Sequence, residues 1–184
     1  MLDQIRKDID AVDTKIKELF LKRMACSKKV AEAKAITGGD VFAPDREKQI
    51  IEKRAADVEG IYDEYVTFLK ILMSISRRYQ YGILTGMQDT VLENALKEAG
   101  LSAEKPHNQV TVTYSCIKGK NEANLFLNMV VLNDVSLKLM NVEADESVQH
   151  VTMTLAGSLK DKNMRQLLCQ IAKEAVDFKI VSLM

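Results

Sequence analysis

Tryptophan is absent from this chain, and aromatic residues of any kind make up only 5% of it. Little is left from which to build a base-stacking surface. An excess of charge of one sign is missing too. The 26 Lys and Arg balance 26 Asp and Glu, so no global field draws the chain to nucleic acid or to an anionic membrane. Cysteine is sparse, odd in number and scattered, at Cys26, Cys116 and Cys169. That pattern argues against a disulfide framework or a metal site and predicts reduced, mostly buried thiols. No apolar run is long enough to span a bilayer. Charge from Asp3 onward leaves no signal peptide to expect, and the cytoplasm is the default. Repeats and low-complexity tracts are lacking. What is present is core: hydrophobic residues are 47% of 184, enough for one large domain or two small ones.

The chain is organised around residues 2–36, which read as one amphipathic helix. Ile5, Ile9, Val12, Ile16 and Leu19 recur at steps of four and three, a coiled-coil-like seam. The series calls for another core residue at position 23, where Arg23 stands. Lys34 follows eleven residues on. At about 100° per residue it returns to nearly the same azimuth, roughly 16 Å further along the axis. Arg6 lies about a quarter-turn away. Buried cations without partners are costly, so either carboxylates of the fold pair with them or they hold an anionic ligand. Glu18, Glu32 and Glu52 are the partners a purely structural role would use. A helix of this length spans about 50 Å, more than the shorter helices after it can cover. A second copy of the chain is the simplest cover, which predicts an intertwined homodimer with sites built by both chains.

Thr37-Gly38-Gly39-Asp40 stops the first helix. Pro44 suits the first position of a second, from about Asp45 to Asp57, with Ala43 as a poor N-cap. A third helix, Ile61 to about Thr85, carries the stripe Tyr65, Leu69, Leu72, Ser76, Tyr79, Ile83. Gln80 lies one turn beyond Ser76, while Arg77 and Arg78 read as a solvated face. A short helix, Gln88 to Ala99, links the helical half to the rest of the chain. From His107 the texture changes. Val110, Val112 and Tyr114 alternate with Thr111, Thr113 and Ser115 as a strand. A helix at Asn121–Leu132, strands at Val135–Val142 and Gln149–Leu155, a helix at Asn163–Val176 and a strand at Phe178–Met184 complete a ferredoxin-like βαββαβ unit. Val135, Leu137 and Leu139 are read as one face of their strand. The fold class is therefore α plus α+β. Three parts are expected: a helical domain at 1–86, a linker helix at 87–106 and a regulatory or dimerisation domain at 107–184.

Arg6, Arg23, Lys34, Arg46, Glu47, Ser76 and Gln80 are the polar residues on buried faces of the first three helices. Three Arg and one Lys against one Glu suit a small dicarboxylate, because guanidinium forks match carboxylates. Here the sequence resembles the all-α (type II) chorismate mutases. Ile5-Arg6-Lys7-Asp8-Ile9-Asp10-Ala11-Val12-Asp13 is similar to that family's opening motif. So are the spacing to Arg23 and Lys34, the segment Pro44-Asp45-Arg46-Glu47, and Ser76-Arg77-Arg78-Tyr79-Gln80. The resemblance covers residues 1–86 and implies a three-helix, intertwined dimeric domain. It implies that Arg23 and Arg46 bind carboxylates of chorismate and that Arg6 reaches across from the other chain. It implies that Lys34 and Gln80 donate to the ether oxygen, Glu47 holds the ring hydroxyl and Ser76 contacts a carboxylate. Ala43 departs from the family's usual Asp. The rearrangement to prephenate needs no nucleophile, metal or cofactor; it needs the folded conformer held and charge on the ether oxygen stabilised.

The second unit resembles an ACT domain by element order. Asn133-Asp134-Val135-Ser136-Leu137 and Phe178-Lys179-Ile180-Val181 lend local support, while Lys118-Gly119-Lys120 stands where a Pro-Gly loop is usual. The resemblance implies feedback control by an aromatic amino acid, or dimerisation alone. Nothing between the two units leaves room for a further catalytic domain. The rival readings are an isochorismate-pyruvate lyase and a non-catalytic sensor, the latter favoured by Ala43.

Overall fold

The computed structural model describes residues 1–117 and 123–184, so Lys118-Gly119-Lys120 and the expected start of a helix at Asn121 lie outside the described residues. Among the described residues, six helices and four strands follow one another as α1 (Leu2–Thr37), α2 (Pro44–Ala55), α3 (Tyr62–Ile83), α4 (Thr85–Ala99), β1 (Gln109–Ile117), α5 (Ala123–Leu132), β2 (Ser136–Ala144), β3 (Val148–Ala156), α6 (Lys162–Glu174) and β4 (Val176–Leu183). A helical region followed by an antiparallel sheet with helices is the α plus α+β arrangement read from the sequence.

α1 runs unbroken for 36 residues, because no Pro or Gly interrupts it. It stops at Gly38, whose φ of 73° places it in the left-handed region that ends helices. α2 starts on Pro44, with Ala43 as an N-cap that makes no side-chain capping bond. α1 packs on α3 only along its C-terminal half. Its seam from Ile5 to Leu19, expected to need a second copy of the chain as cover, stands 47% to 65% exposed in the single chain. The reason is reach: α2 and α3 are 12 and 22 residues long and leave the first turns of a 36-residue helix uncovered.

The sheet has the strand order β2-β3-β1-β4, every described pairing antiparallel. Alternation does what it implied on β1 and β3: Val110, Val112, Tyr114, Val151, Met153 and Leu155 are all buried. They pack against Phe126 and Met129 of α5 and Leu167, Leu168 and Ile171 of α6. β2 departs from the reading. A bulge sits between Leu137, opposite Leu155, and Leu139, opposite Thr154. The extra residue flips the pleat, so Leu139 turns outward at 57% exposure and Met140 faces Met153 instead. The thiols also divide. Cys116 and Cys169 are buried, and burial pushes them up to about 11 and about 12; Cys26 is exposed, contrary to expectation.

α3 buries two faces rather than one. Leu69, Met73, Ser76 and Gln80 are buried, but so are Ser74, Arg77 and Tyr81, while Tyr79 of the expected stripe is 37% exposed. The cause is α6. Its polar residues Gln166, Gln170 and Glu174, at steps of four, are buried together with Cys169. The Gln166 amide donates to the Arg78 carbonyl at 2.7 Å, and Cys169 packs with Val41, Tyr81 and Leu84. α4 also joins this body. Leu92 and Ala95 belong to the core that the sheet builds. Leu92 is 1% exposed, so Leu92→Ala is expected to cost about 2–5 kcal/mol in urea unfolding. A loss under about 0.5 kcal/mol, the size usual for surface sites, would mean that α4 is not part of the core.

Candidate active site

Three helices converge on a cleft of about 710 Å³ lined by Arg23 and Lys34 of α1, Arg46 and Glu47 of α2, and Ser76 and Gln80 of α3. Six of the seven residues singled out in the sequence therefore meet in one chain. The eleven-residue step does for Arg23 and Lys34 what helix geometry implies: both side chains enter the same cavity. Arg6 does not join them. It lies seventeen residues before Arg23, roughly 25 Å up the helix, and its guanidinium is exposed beside Asp3 at 3.4 Å.

Each side chain is held differently. Arg23 Nη1 donates to Ser76 Oγ and, at 3.3 Å, to the Leu72 carbonyl. Ser76 Oγ in turn donates to that same carbonyl at 3.0 Å, the local back-bond expected of a mid-helix serine. Lys34 Nζ donates to the Asp40 carbonyl and, at 3.3 Å, to that of Val41, so the loop after α1 orients its ammonium. None of Glu18, Glu32 and Glu52 meets Arg23; Glu32 lies 3.9 Å from Lys28, and Glu52 3.9 Å from Lys48. Among the described residues, Arg23, Lys34 and Arg46 have no carboxylate within ion-pair distance. Burial lowers the Arg23 guanidinium and the Lys34 ammonium from their ordinary values, and Arg46 adds to the effect on Lys34. Both are thus cations short of counter-charge, which a bound anion would relieve. Gln80 is 8% exposed, and its Oε1 has no partner among the described residues. Ala43 lines the cleft with nothing to donate or accept beyond its backbone.

Arg77, read from the sequence as solvated, is 5% exposed. Its Nε and Nη2 each donate to one oxygen of Glu174 on α6, both at 2.8 Å. Its Nη1 donates to both oxygens of Glu47, at 2.6 and 2.5 Å. Phe42 lies over the guanidinium, 4.8 Å from ring centroid to Cζ. Burial opposes the cation, but Glu174 and Glu47 outweigh it and hold Arg77 above the ordinary guanidinium range. Burial likewise pushes the Glu174 carboxyl up, against the pull of Arg77 and Gln170. Sequence reading missed both residues. The one available signal was the polar run Gln166, Gln170, Glu174 on a single helix face, which demands a polar partner if that face is covered.

Taken together, the cleft offers four cations without carboxylates of their own among the described residues, Arg54 being the fourth, one carboxylate held from behind, and a buried neutral amide. It can bind a small dianion, and its lining also includes the exposed thiol of Cys26. Among the described residues no helix is long and apolar enough to cross a membrane. No curated protein and no solved structure matches the chain. Residues 5–81, which hold the cleft, match the family model of chorismate mutase type II, a family of isomerases that convert chorismate to prephenate.

Proposed function

We propose that this chain is a cytoplasmic chorismate mutase serving phenylalanine and tyrosine biosynthesis. The observation that carries the reading is the meeting of Arg23, Lys34, Arg46, Glu47, Ser76 and Gln80 around one cleft within the matched segment. Arg23 and Arg46 bind substrate carboxylates, with Ser76 completing the contact. Lys34 and Gln80 donate to the ether oxygen, on which negative charge builds as the C–O bond breaks. Lys34 is oriented beforehand by the loop carbonyls, which limits the reorganisation that accompanies the reaction. Glu47 accepts from the ring hydroxyl. Without the Asp that the family commonly has at position 43, this contact rests on Glu47. Purified protein is expected to consume chorismate, read as loss of its diene absorbance, and to leave isochorismate untouched. Pyruvate release from isochorismate would favour the lyase instead.

The site is completed by a second chain. The exposed face Ile5, Ile9, Val12, Ile16 and Leu19 supports this, because an uncovered apolar stripe along half of a long helix invites a copy of itself. The partner subunit's Arg6 then reaches the second carboxylate. Arg23→Ala and Arg6→Ala are each expected to lose at least 100-fold in kcat/KM, the scale of a lost transition-state donor. Co-refolded in equal amounts, half the dimers are mixed, and each mixed dimer holds one intact site. About a quarter of wild-type activity should return. No recovery would mean that each site lies within one chain.

Lys34 sets the alkaline limit. The protonated form is the donor, so activity is present below its pKa and lost above it. Because burial and Arg46 lower that pKa, the fall of kcat/KM should be centred below the ordinary 10.5. Lys34→Arg should abolish this limb, and a wild-type profile flat to pH 10.5 would remove Lys34 from the role. The C-terminal unit acts in this proposal as a sensor of an aromatic amino acid. Phenylalanine or tyrosine should raise the melting temperature, and no shift with either would leave the unit structural.

A further inference from the structure

We infer that Glu174 and Arg77 are positioning residues for Glu47, so that the C-terminal unit supplies part of the substrate site in the same chain. The inference rests on the mutase reading and deepens it. Four observations combine. Glu174, on α6, is 3% exposed and takes the side-on fork of Arg77 with both oxygens. The Gln170 amide braces Glu174 Oε1 at 3.0 Å. The Phe42 ring closes over the guanidinium. Nη1, turned away from that fork, donates to both oxygens of Glu47, at 2.6 and 2.5 Å.

Guanidinium is planar, so a fork fixed along one edge fixes the direction of the remaining nitrogen. Glu174 thereby aims Arg77 Nη1, and Nη1 aims the Glu47 carboxylate. A carboxylate held from behind keeps lone pairs for a hydroxyl in front. The same arrangement keeps Arg77 from acting as one more free cation. An uncommitted guanidinium lining the cleft would compete with Arg23 and Arg46 for substrate carboxylates and admit misplaced binding modes. Glu174 sits 97 residues from Arg77 in sequence, which places the control of a cleft residue on the last helix of the chain. α6 fastens the neighbouring loop as well: Lys173 Nζ lies 3.0 Å from Asp40, whose carbonyl orients Lys34.

A double-mutant cycle tests this in the full chain. Glu174→Gln keeps the shape of the side chain and removes its charge. It is expected to raise KM for chorismate about tenfold while kcat changes by less than about threefold, because a hydroxyl contact acts alike on ground and transition states. Glu47→Gln should show the same split. The double variant should lose no more than the worse single, since Glu174 acts only through Glu47. A chorismate analogue lacking the ring hydroxyl should be bound equally by wild type and Glu174→Gln. Multiplying losses, or a fall confined to kcat, would overturn the inference and leave Glu174 a structural residue. Should Glu174→Gln fold poorly by circular dichroism, Arg77→Lys replaces it in the cycle, because it keeps the charge and loses the fork. A wild type that does not turn over chorismate overturns the underlying reading, and this inference with it. An active wild type with a multiplicative cycle overturns the inference alone.

Discussion

A buried guanidinium must be surrounded by acceptors, and that requirement on Arg77 joins the parts of this molecule. Two carboxylates from different helices and an aromatic ring meet it. Glu174, 3% exposed, would not be tolerable where it is without that cation. Breaking a buried pair by removing one partner typically costs about 3–5 kcal/mol, because the other charge is left stranded. The contact therefore ties α2, α3 and α6 together more rigidly than their apolar surfaces would alone. The cleft lies on one side of this tie and the sheet-backed core on the other.

The remaining cations of the cleft follow the opposite rule. Among the described residues, Arg23 and Lys34 are satisfied only by neutral oxygens of Ser76, Leu72, Asp40 and Val41. Hydrogen bonds to such oxygens orient a cation without neutralising it. Committed charge behind and uncommitted charge in front is how a site of fixed dipoles is made ready for a dianion. It also explains the economy of the site, which uses three short stretches of helix and one loop and leaves the rest to the fold.

Much of this was legible in the sequence where one periodicity governs one face. Arg23 and Lys34 reach the same cavity because an eleven-residue step closes on a straight helix. Val110, Val112 and Tyr114 are buried because a regular strand alternates. Reading failed wherever a second neighbour intervened. Arg77 looked solvated because a single stripe had been assigned to α3, and α6 covers another. Glu174 carried no local sign of its partner. Leu139 changed faces because one bulge shifts a pleat, which no alternation pattern announces. The α1 seam is another matter: its length against that of the later helices says that one chain leaves it uncovered, and it stands exposed.

The central claim is that the unpaired cations of the cleft exist to hold a dicarboxylate. Calorimetric titration with prephenate, the doubly charged product, measures this without requiring turnover. The account predicts one prephenate per chain, with affinity that falls steeply as salt is raised and is lost in Arg46→Ala. No measurable heat, or binding indifferent to both salt and Arg46, would contradict it.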